Sequence, residues 1–209
     1  KGMTLKEAEE LIKTNSRYLA TIMVKLGDAD GYVSGASHST ADTFKTVLRI
    51  IKGAGDIKTI SSFFVMDCPD KNIGEDGIFI FSDSGMNENP TAEALADIAR
   101  ASGNSFKELI NKEPRVAMLS YSTKGSAKSE LTDKVIQATK LVNEKAPELL
   151  CDGEMQLDAA IVPEVAAMKA PSSQVAGKAN VLIFPDLNSG NIAYKLVQRL
   201  GHAKAYGPL

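Results

Sequence analysis

The sequence contains few of the residues that build metal centres and disulfide frameworks. Only two cysteines, Cys68 and Cys151, and two histidines, His38 and His202, occur among 209 residues. The cysteines lie far apart and lack metal-type spacing, so we expect two free thiols in a reducing compartment. Two histidines exclude a histidine-rich metal site and leave few candidates for a Ser-His-Asp triad, and we expect no metal.

Excess positive charge and long apolar runs are also lacking. The net charge is −2 and the isoelectric point is about 5.8, so no global basic field is available for nucleic acid or for an anionic membrane. No apolar run is long enough to span a bilayer, and we expect no secretion signal. We therefore expect a cytoplasmic protein in which local cations hold any anionic ligand. The length suits one large α/β domain or two small ones.

One predicted helix start has the features of an anion site. A short apolar strand signal at Tyr32 and Val33 leads into a loop of small residues and then into this helix. Ser39 and Thr40 stand at the N-cap, and Lys45 follows in the helix. A helix N-terminus exposes unpaired N–H groups and carries a partial positive charge, so it favours phosphate. The alternative is a capped helix that binds nothing, since such caps are common.

Strands and helices alternate along the rest of the chain. Strands are predicted at residues 59–66, 78–81, 116–120 and 180–184, and the first two form a hairpin. Helices are predicted from Thr4 to about Leu26, from Ser39 to near Gly53, from Pro90, over the run that contains Val135, after a turn at Leu150 through about Met168, and over the run that contains Leu196.

Two further loops join a buried strand to a helix through small polar residues. One contains Ser122, Thr123 and Lys124, and the other contains Ser189. The Lys-Gly-Ser run of the first loop is not a Walker motif, because neither glycine of that motif is in place. In open parallel sheets such loops gather at the carboxyl ends of the strands. We therefore expect the corners at Ser39, Ser122 and Ser189 to converge around a phosphorylated ligand.

Four segments together resemble the phosphate acetyltransferase (phosphotransacetylase) family. Residues 28–43 read Asp-Ala-Asp-Gly-Tyr-Val-Ser-Gly-Ala-Ser-His-Ser-Thr-Ala-Asp-Thr, and residues 114–128, 152–163 and 186–201 match in the same order. The resemblance covers nearly the whole chain. It implies an α/β fold of three layers, α/β/α, with a mixed, mostly parallel sheet like that of isocitrate and isopropylmalate dehydrogenases.

The resemblance also implies a domain division and a reaction. Residues 1–53 would form a helix and phosphate-loop segment, and residues 54–209 an α/β domain with most of the cleft. Family members interconvert acetyl-CoA plus phosphate with acetyl phosphate plus CoA, through attack of the CoA thiolate on the acyl phosphate. Acetyl phosphate, phosphate and CoA are thus the expected partners, CoA being a substrate and no cofactor being expected. A homodimer that binds no nucleic acid and no membrane is expected.

Site residues follow from the resemblance position by position. Ser39 and Thr40 match the hydroxyls that contact the phosphoryl group. Lys45 stands where the family usually has an arginine, which can grip phosphate bidentately, so either Lys45 or Arg49 takes that role.

On the CoA side, Arg199 matches an arginine associated with CoA binding. Asn191 and Tyr194 are expected on the same rim, and Lys169 is expected to face CoA. The loop residues Ser122, Thr123 and Lys124 complete the expected substrate-binding set.

The resemblance places no catalytic residue within this sequence. The family's serine, arginine and aspartate nearest the reaction belong to an Asn-Asp-Leu-Ser-Arg-Gly segment and its continuation, which would lie beyond Leu209. We therefore expect a fragment that also lacks the family's N-terminal part and is nearly inactive alone.

Three alternatives stay open. Phosphate butyryltransferase has the same chemistry with a longer acyl chain. Some malic enzymes carry a related domain that senses acetyl-CoA without catalysis; Lys45 favours this reading, whereas the intact Ser39-Thr40 pair and the Ser122 loop disfavour it. An α/β domain without a ligand is the third.

Overall fold

The computed structural model describes residues 2–51 and 57–209, without the side chains of Thr40 and Ala41. The chain divides into two compact units, Lys1–Asp56 and Ile57–Leu209. Within the described residues, no helix is both long enough and apolar enough to cross a bilayer.

The first unit contains helices α1 (Leu5–Thr14), α2 (Ser16–Leu26) and α3 (Thr40–Ile50). Among residues 2–51, with Thr40 and Ala41 left aside, only Thr21 and Thr46 are buried, so the described side chains of these helices include no fully buried apolar one. The predicted end of the third helix near Gly53 lies outside the described residues.

Two predictions for this unit are wrong. The single helix from Thr4 to Leu26 is broken at Asn15, whose extended backbone ends α1 and whose side chain caps α2 by accepting from the Arg17 amide at 3.2 Å. The strand at Tyr32 and Val33 does not form, and Val33 is fully exposed. Two apolar residues are too short a run to hold a strand where no neighbouring strand completes its hydrogen bonds.

The second unit is built on a six-stranded sheet. Its strands are β1 (Phe63–Asp67), β2 (Ile78–Ser82), β3 (Arg115–Leu119), β4 (Leu150–Met155), β5 (Val181–Ile183) and β6 (Lys204–Tyr206), in the order β4-β3-β5-β2-β1-β6. β1 pairs antiparallel with β2, as the hairpin prediction required, and also with β6, whereas the β2–β5, β5–β3 and β3–β4 pairs are parallel.

Helices cover both faces of this sheet. Helices α4 (Ala92–Ile110) and α5 (Glu130–Lys145) pack on one face, and α6 (Leu157–Ile161), α7 (Pro163–Lys169) and α8 (Leu187–Arg199) pack on the other. Consecutive side chains of a strand point to opposite faces, so in β2 Phe79 and Phe81 enter one core and Ile80 the other. The predicted three-layer α/β/α fold with a mostly parallel sheet is confirmed.

The two outer strands of the sheet, β4 and β6, have no clear signal in the sequence. A turn that leads into a helix is predicted at Leu150, but residues 150–155 form β4, in which the polar run Asp152-Gly153-Glu154 hides the strand pattern. An outer strand has one partner only, and the backbone pairing of β4 with β3 does not need an apolar side-chain run. Pro90 lies outside α4, which begins at Ala92 with Thr91 as its N-cap.

Two helical glycines offer a matched test of backbone packing. A Cβ on Gly190 of α8 would lie 2.3 Å from the Asp83 carbonyl oxygen, whereas a Cβ on Gly103 of α4 would first meet the flexible Leu149 side chain at 2.8 Å. Both sites would gain about 1 kcal/mol of helix propensity from alanine. We expect Gly190→Ala to destabilise by about 3 kcal/mol, since backbone must move, and Gly103→Ala to change stability by less than about 1 kcal/mol. Chemical denaturation measures both, and equal losses would contradict this packing.

Candidate functional site

The carboxyl ends of β2, β3, β4 and β5 lie side by side at one edge of the sheet, here called the carboxyl edge. The loops that leave this edge are the β2–α4 loop (residues 83–91), the β3–α5 loop (residues 120–129) and the β5–α8 loop (residues 184–186). The corners at Ser122 and Ser189 therefore share one edge. Ser39 belongs to the other unit, so its convergence with them stays a prediction.

A buried carboxylate supports the β3–α5 loop. Glu154, at 2% exposure, accepts from the Ser122 hydroxyl at 2.8 Å and from the Gly125 amide at 2.8 Å. The Ser122 oxygen in turn accepts from the Ala127 amide at 3.0 Å. The Ser122 hydroxyl is therefore engaged inside the protein, and its contact with a ligand stays a prediction. The sequence alone did not single out Glu154, although this residue lies in the 152–163 segment that resembles the family.

Three predicted residues lie beside the end of β4. The Gln156 backbone N–H donates to Thr123 Oγ1 at 2.9 Å, and Lys169 Nζ donates to the side-chain oxygen Oε1 of Gln156 at 2.9 Å. Gln156 therefore joins Thr123 to Lys169. Lys124 Nζ forms an ion pair with Asp152. The structure thus brings Thr123, Lys124 and Lys169 close to one another through neighbours on and after β4.

The start of α8 contacts the β2–α4 loop. The N-cap Asp186 accepts from the Ser189 amide at 2.8 Å, and the Ser189 hydroxyl donates to the Asp186 carbonyl at 2.8 Å. Asn191 Nδ2 donates to the Ser84 carbonyl at 3.3 Å, and Asn191 Oδ1 accepts from Lys195 Nζ at 2.8 Å. Asn191 therefore lies at the carboxyl edge, against the β2–α4 loop.

The other two predicted α8 residues lie further along the helix. The Tyr194 ring stacks on Phe64 of β1, with centroids 4.0 Å apart and an interplanar angle of 15°. Arg199 is exposed at the last position of α8, about 12 Å along the helix axis from Asn191. The structure places Asn191 and Tyr194 near the edge and Arg199 at the far end of the helix.

In the first unit, Ser39 is the N-cap of α3. Its hydroxyl donates to Asp42 Oδ2 at 2.7 Å, and the Asp42 amide donates to Ser39 Oγ at 3.1 Å. The hydrogen bond from Ser39 lowers the pKa of the Asp42 carboxyl, and the nearby positive charge of Lys45 acts in the same direction. Arg49 is engaged elsewhere, because its Nη1 donates to the Tyr18 hydroxyl at 2.6 Å. The Thr40 side chain lies outside the described part of the chain.

No cluster of three His, Cys, Asp or Glu side chains suited to a metal ion occurs within residues 2–51 and 57–209. Two lysine–carboxylate pairs, Lys124–Asp152 and Lys169–Asp158, lie near the carboxyl edge.

These features define a three-layer α/β protein whose candidate site lies where such sheets bind ligands, at the carboxyl ends of parallel strands. All 209 residues match the family model for phosphate acetyl/butaryl transferase, so the chain belongs to this family. The family predicted from the sequence is confirmed.

Individual relatives agree with the family model. The chain is 58% identical over 209 residues to a phosphate acetyltransferase of Acetivibrio thermocellus, and it covers 63% of that relative. The fold matches a phosphotransacetylase of Streptococcus pyogenes with a TM-score of 0.87 and 45% identity, over 99% of this chain and 61% of that one. It also matches the EutD phosphotransacetylase of Staphylococcus aureus with a TM-score of 0.88 and 45% identity, over 100% and 62%. The chain thus spans about three fifths of the length of these relatives.

The buried Glu154 carboxylate gives a test of what holds the β3–α5 loop. Glu154→Ala leaves the Ser122 hydroxyl and the Gly125 amide without their acceptor, so we expect a loss of about 3 kcal/mol in unfolding free energy. Glu154→Gln keeps one acceptor oxygen and should lose about 1 kcal/mol. Urea denaturation measures both, with the exposed Glu148→Ala as control. Equal losses for Ala and Gln would show that the two hydrogen bonds do not hold the loop.

The Lys169–Asp158 pair predicts a shifted titration. The hydrogen bond from Lys169, at 2.8 Å, lowers the pKa of the Asp158 carboxyl. The stabilisation from this pair is therefore fully present at pH values above the ordinary Asp pKa, and it is lost as the pH falls through the pKa of Asp158 in the folded protein. Lys169→Met should raise the pKa of Asp158, with a stability loss at pH 7 below about 1 kcal/mol because the pair is exposed. An NMR titration of the Asp158 carboxyl measures the shift, and Lys178→Met should leave it unchanged.

Proposed function

We propose that the protein containing this chain is a phosphate acetyltransferase, which interconverts acetyl-CoA plus phosphate with acetyl phosphate plus CoA. The observation that carries the proposal is the match of all 209 residues to the family, together with 58% identity to a relative that is a phosphate acetyltransferase. That relative favours an acetyl group over a butyryl group as the one transferred.

The phosphoryl group is assigned to the start of α3. Acyl transfer from acetyl phosphate releases a phosphate dianion, so donors fixed at the phosphoryl oxygens stabilise both the leaving group and the transition state. The free N–H groups of a helix start and its partial positive charge supply such donors, with Thr40 beside the cap. The Ser39 hydroxyl would join them by turning from Asp42, to which it donates here, toward the phosphoryl group. Lys45 adds the point charge, since Arg49 is held by Tyr18.

CoA is assigned to the carboxyl edge. Asn191 and Tyr194 on α8, Lys169 after β4 and Thr123 and Lys124 in the β3–α5 loop offer amide, aromatic and cationic groups to a nucleotide with phosphates. Arg199 and Ser122 are the remaining residues that we assign to CoA binding. The reaction needs the CoA thiol to lose its proton before attack on the acyl carbon, and we assign that base to no residue of this chain.

The remaining expectations belong to the same proposal. We propose that CoA serves as a substrate and that the reaction uses no resident cofactor. We further propose a cytoplasmic homodimer that binds neither nucleic acid nor membrane. These statements are supported by the resemblance to the family and by the near-neutral charge of −2.

Substitution at the α3 cap separates phosphate binding from helix capping. The complete natural reading frame that contains these residues should form acetyl-CoA from acetyl phosphate and CoA. Ser39→Asp keeps an N-cap acceptor but places a carboxylate where the phosphoryl group would bind, so we expect the KM for acetyl phosphate to rise at least about 10-fold. Repulsion from the neighbouring Asp42 carboxylate should lower the stability slightly. Thr91→Asp, at the N-cap of α4, is the matched control. An unchanged KM in Ser39→Asp would remove Ser39 from the phosphate site, and an inactive wild type would sink the proposed function.

Arg199 is tested on CoA by calorimetry. Arg199→Ala should weaken CoA binding about 10-fold if its guanidinium meets a CoA phosphate, because a charge-assisted contact to phosphate is lost. The control is Lys140→Ala, another exposed cation of the same unit. CoA affinity equal to that of the wild type would show that Arg199, at the far end of α8, is a surface residue.

A further inference from the structure

Lys134 is a cation of α5 to which the proposed function gives no role. Its Nζ atom donates to Asn89 Oδ1 at 2.9 Å and to the Pro185 carbonyl at 2.9 Å. Asn89 lies in the β2–α4 loop and Pro185 in the β5–α8 loop. One ammonium group therefore joins two loops of the carboxyl edge that are almost 100 residues apart in sequence.

The start of α8 also contacts the β2–α4 loop. The Leu187 amide donates to the Glu88 carbonyl at 3.0 Å, and Asn191 Nδ2 donates to the Ser84 carbonyl. Gly190 allows the Asp83 carbonyl to approach the first turns of α8, because a Cβ would lie 2.3 Å from that oxygen. These contacts fix where α8 begins relative to β2, and the Lys134 ammonium closes the junction from the α5 side.

The Lys134 ammonium can serve both acceptors at once. An ammonium has three N–H donors, and two of them satisfy acceptors on different loops. Burial lowers the pKa of Lys134, and the Asp186 carboxylate acts in the opposite direction. Asp186 is the N-cap of α8. The carboxylate that favours the charged form of Lys134 therefore belongs to the start of α8, next to the Pro185 carbonyl to which Lys134 donates.

We propose that Lys134 is a positioning residue for CoA, tying the β2–α4 loop to the β5–α8 loop so that Asn191 and Tyr194 are held in place for the nucleotide. The proposal rests on the proposed function, since it takes α8 as part of the CoA site. Phosphate is assigned to the α3 start, so loss of the tie should affect one substrate only.

The kinetic test uses the complete natural reading frame with Lys134→Met, which keeps the length of the side chain and removes its donors. We expect the KM for CoA to rise about 10-fold, because small displacements of binding groups have large effects, and the KM for acetyl phosphate to change less than about twofold. Lys134→Arg, which keeps a cation with several donors, should recover most of the CoA affinity. Lys140→Met, on the same helix but 77% exposed, is the matched control.

Amide hydrogen exchange tests the tie without any assay of activity. In Lys134→Met, amides of residues 184–191 should exchange faster, whereas those of the buried α4 core around Phe106 should not change. Asn89→Ala, which removes one acceptor at an exposed position, should give the same pattern more weakly and serves if Lys134→Met does not fold.

The outcomes separate this inference from the proposed function. A wild type that makes no acetyl-CoA overturns the proposed function, and the exchange pattern then decides the tie alone. If the wild type is active, any one of three results for Lys134→Met overturns the role of Lys134. These results are unchanged exchange, an equal rise of KM for both substrates, and a loss of kcat with both KM values unchanged. Faster exchange at residues 184–191 with a rise of the KM for CoA alone supports it.

Discussion

Parallel pairing of four neighbouring strands is the constraint on which the candidate site depends. Because β4, β3, β5 and β2 run in one direction, their carboxyl ends share an edge, and every loop that leaves them begins from the same place. Loops of this kind bury backbone N–H and C=O groups, and these groups need hydrogen-bond partners. Buried or half-buried charges at this edge, Glu154 and Lys134, satisfy groups of the β3–α5 loop and of the β2–α4 and β5–α8 loops respectively.

Much of this architecture could be predicted from the sequence. The buried strands β2, β3 and β5 carry apolar runs, and the helices that follow them carry caps, so the units that place Ser122 and Ser189 at one edge were identified correctly. The family was identified from short segments in their right order, which a periodicity argument alone could not supply.

The errors have a common physical origin. β4 is held by backbone pairing along one side and carries a polar centre around Glu154, so its sequence reads as a turn. The break at Asn15 depends on one residue that ends one helix and caps the next, inside an uninterrupted apolar pattern. Contacts that join distant segments, such as Lys134 with Asn89, leave no local pattern at all, because both partners read as ordinary surface residues until the chain is folded.

The two units differ in how much apolar surface they remove from water. Residues 57–209 contain two clusters of buried apolar side chains, one on each face of the sheet, whereas the side chains described within residues 2–51 include no fully buried apolar one. The heat-capacity change of unfolding follows apolar exposure. Most of that change must therefore come from the second unit, and calorimetric melting of this chain reports chiefly on the unit that holds the carboxyl edge rather than on the smaller unit that holds Ser39.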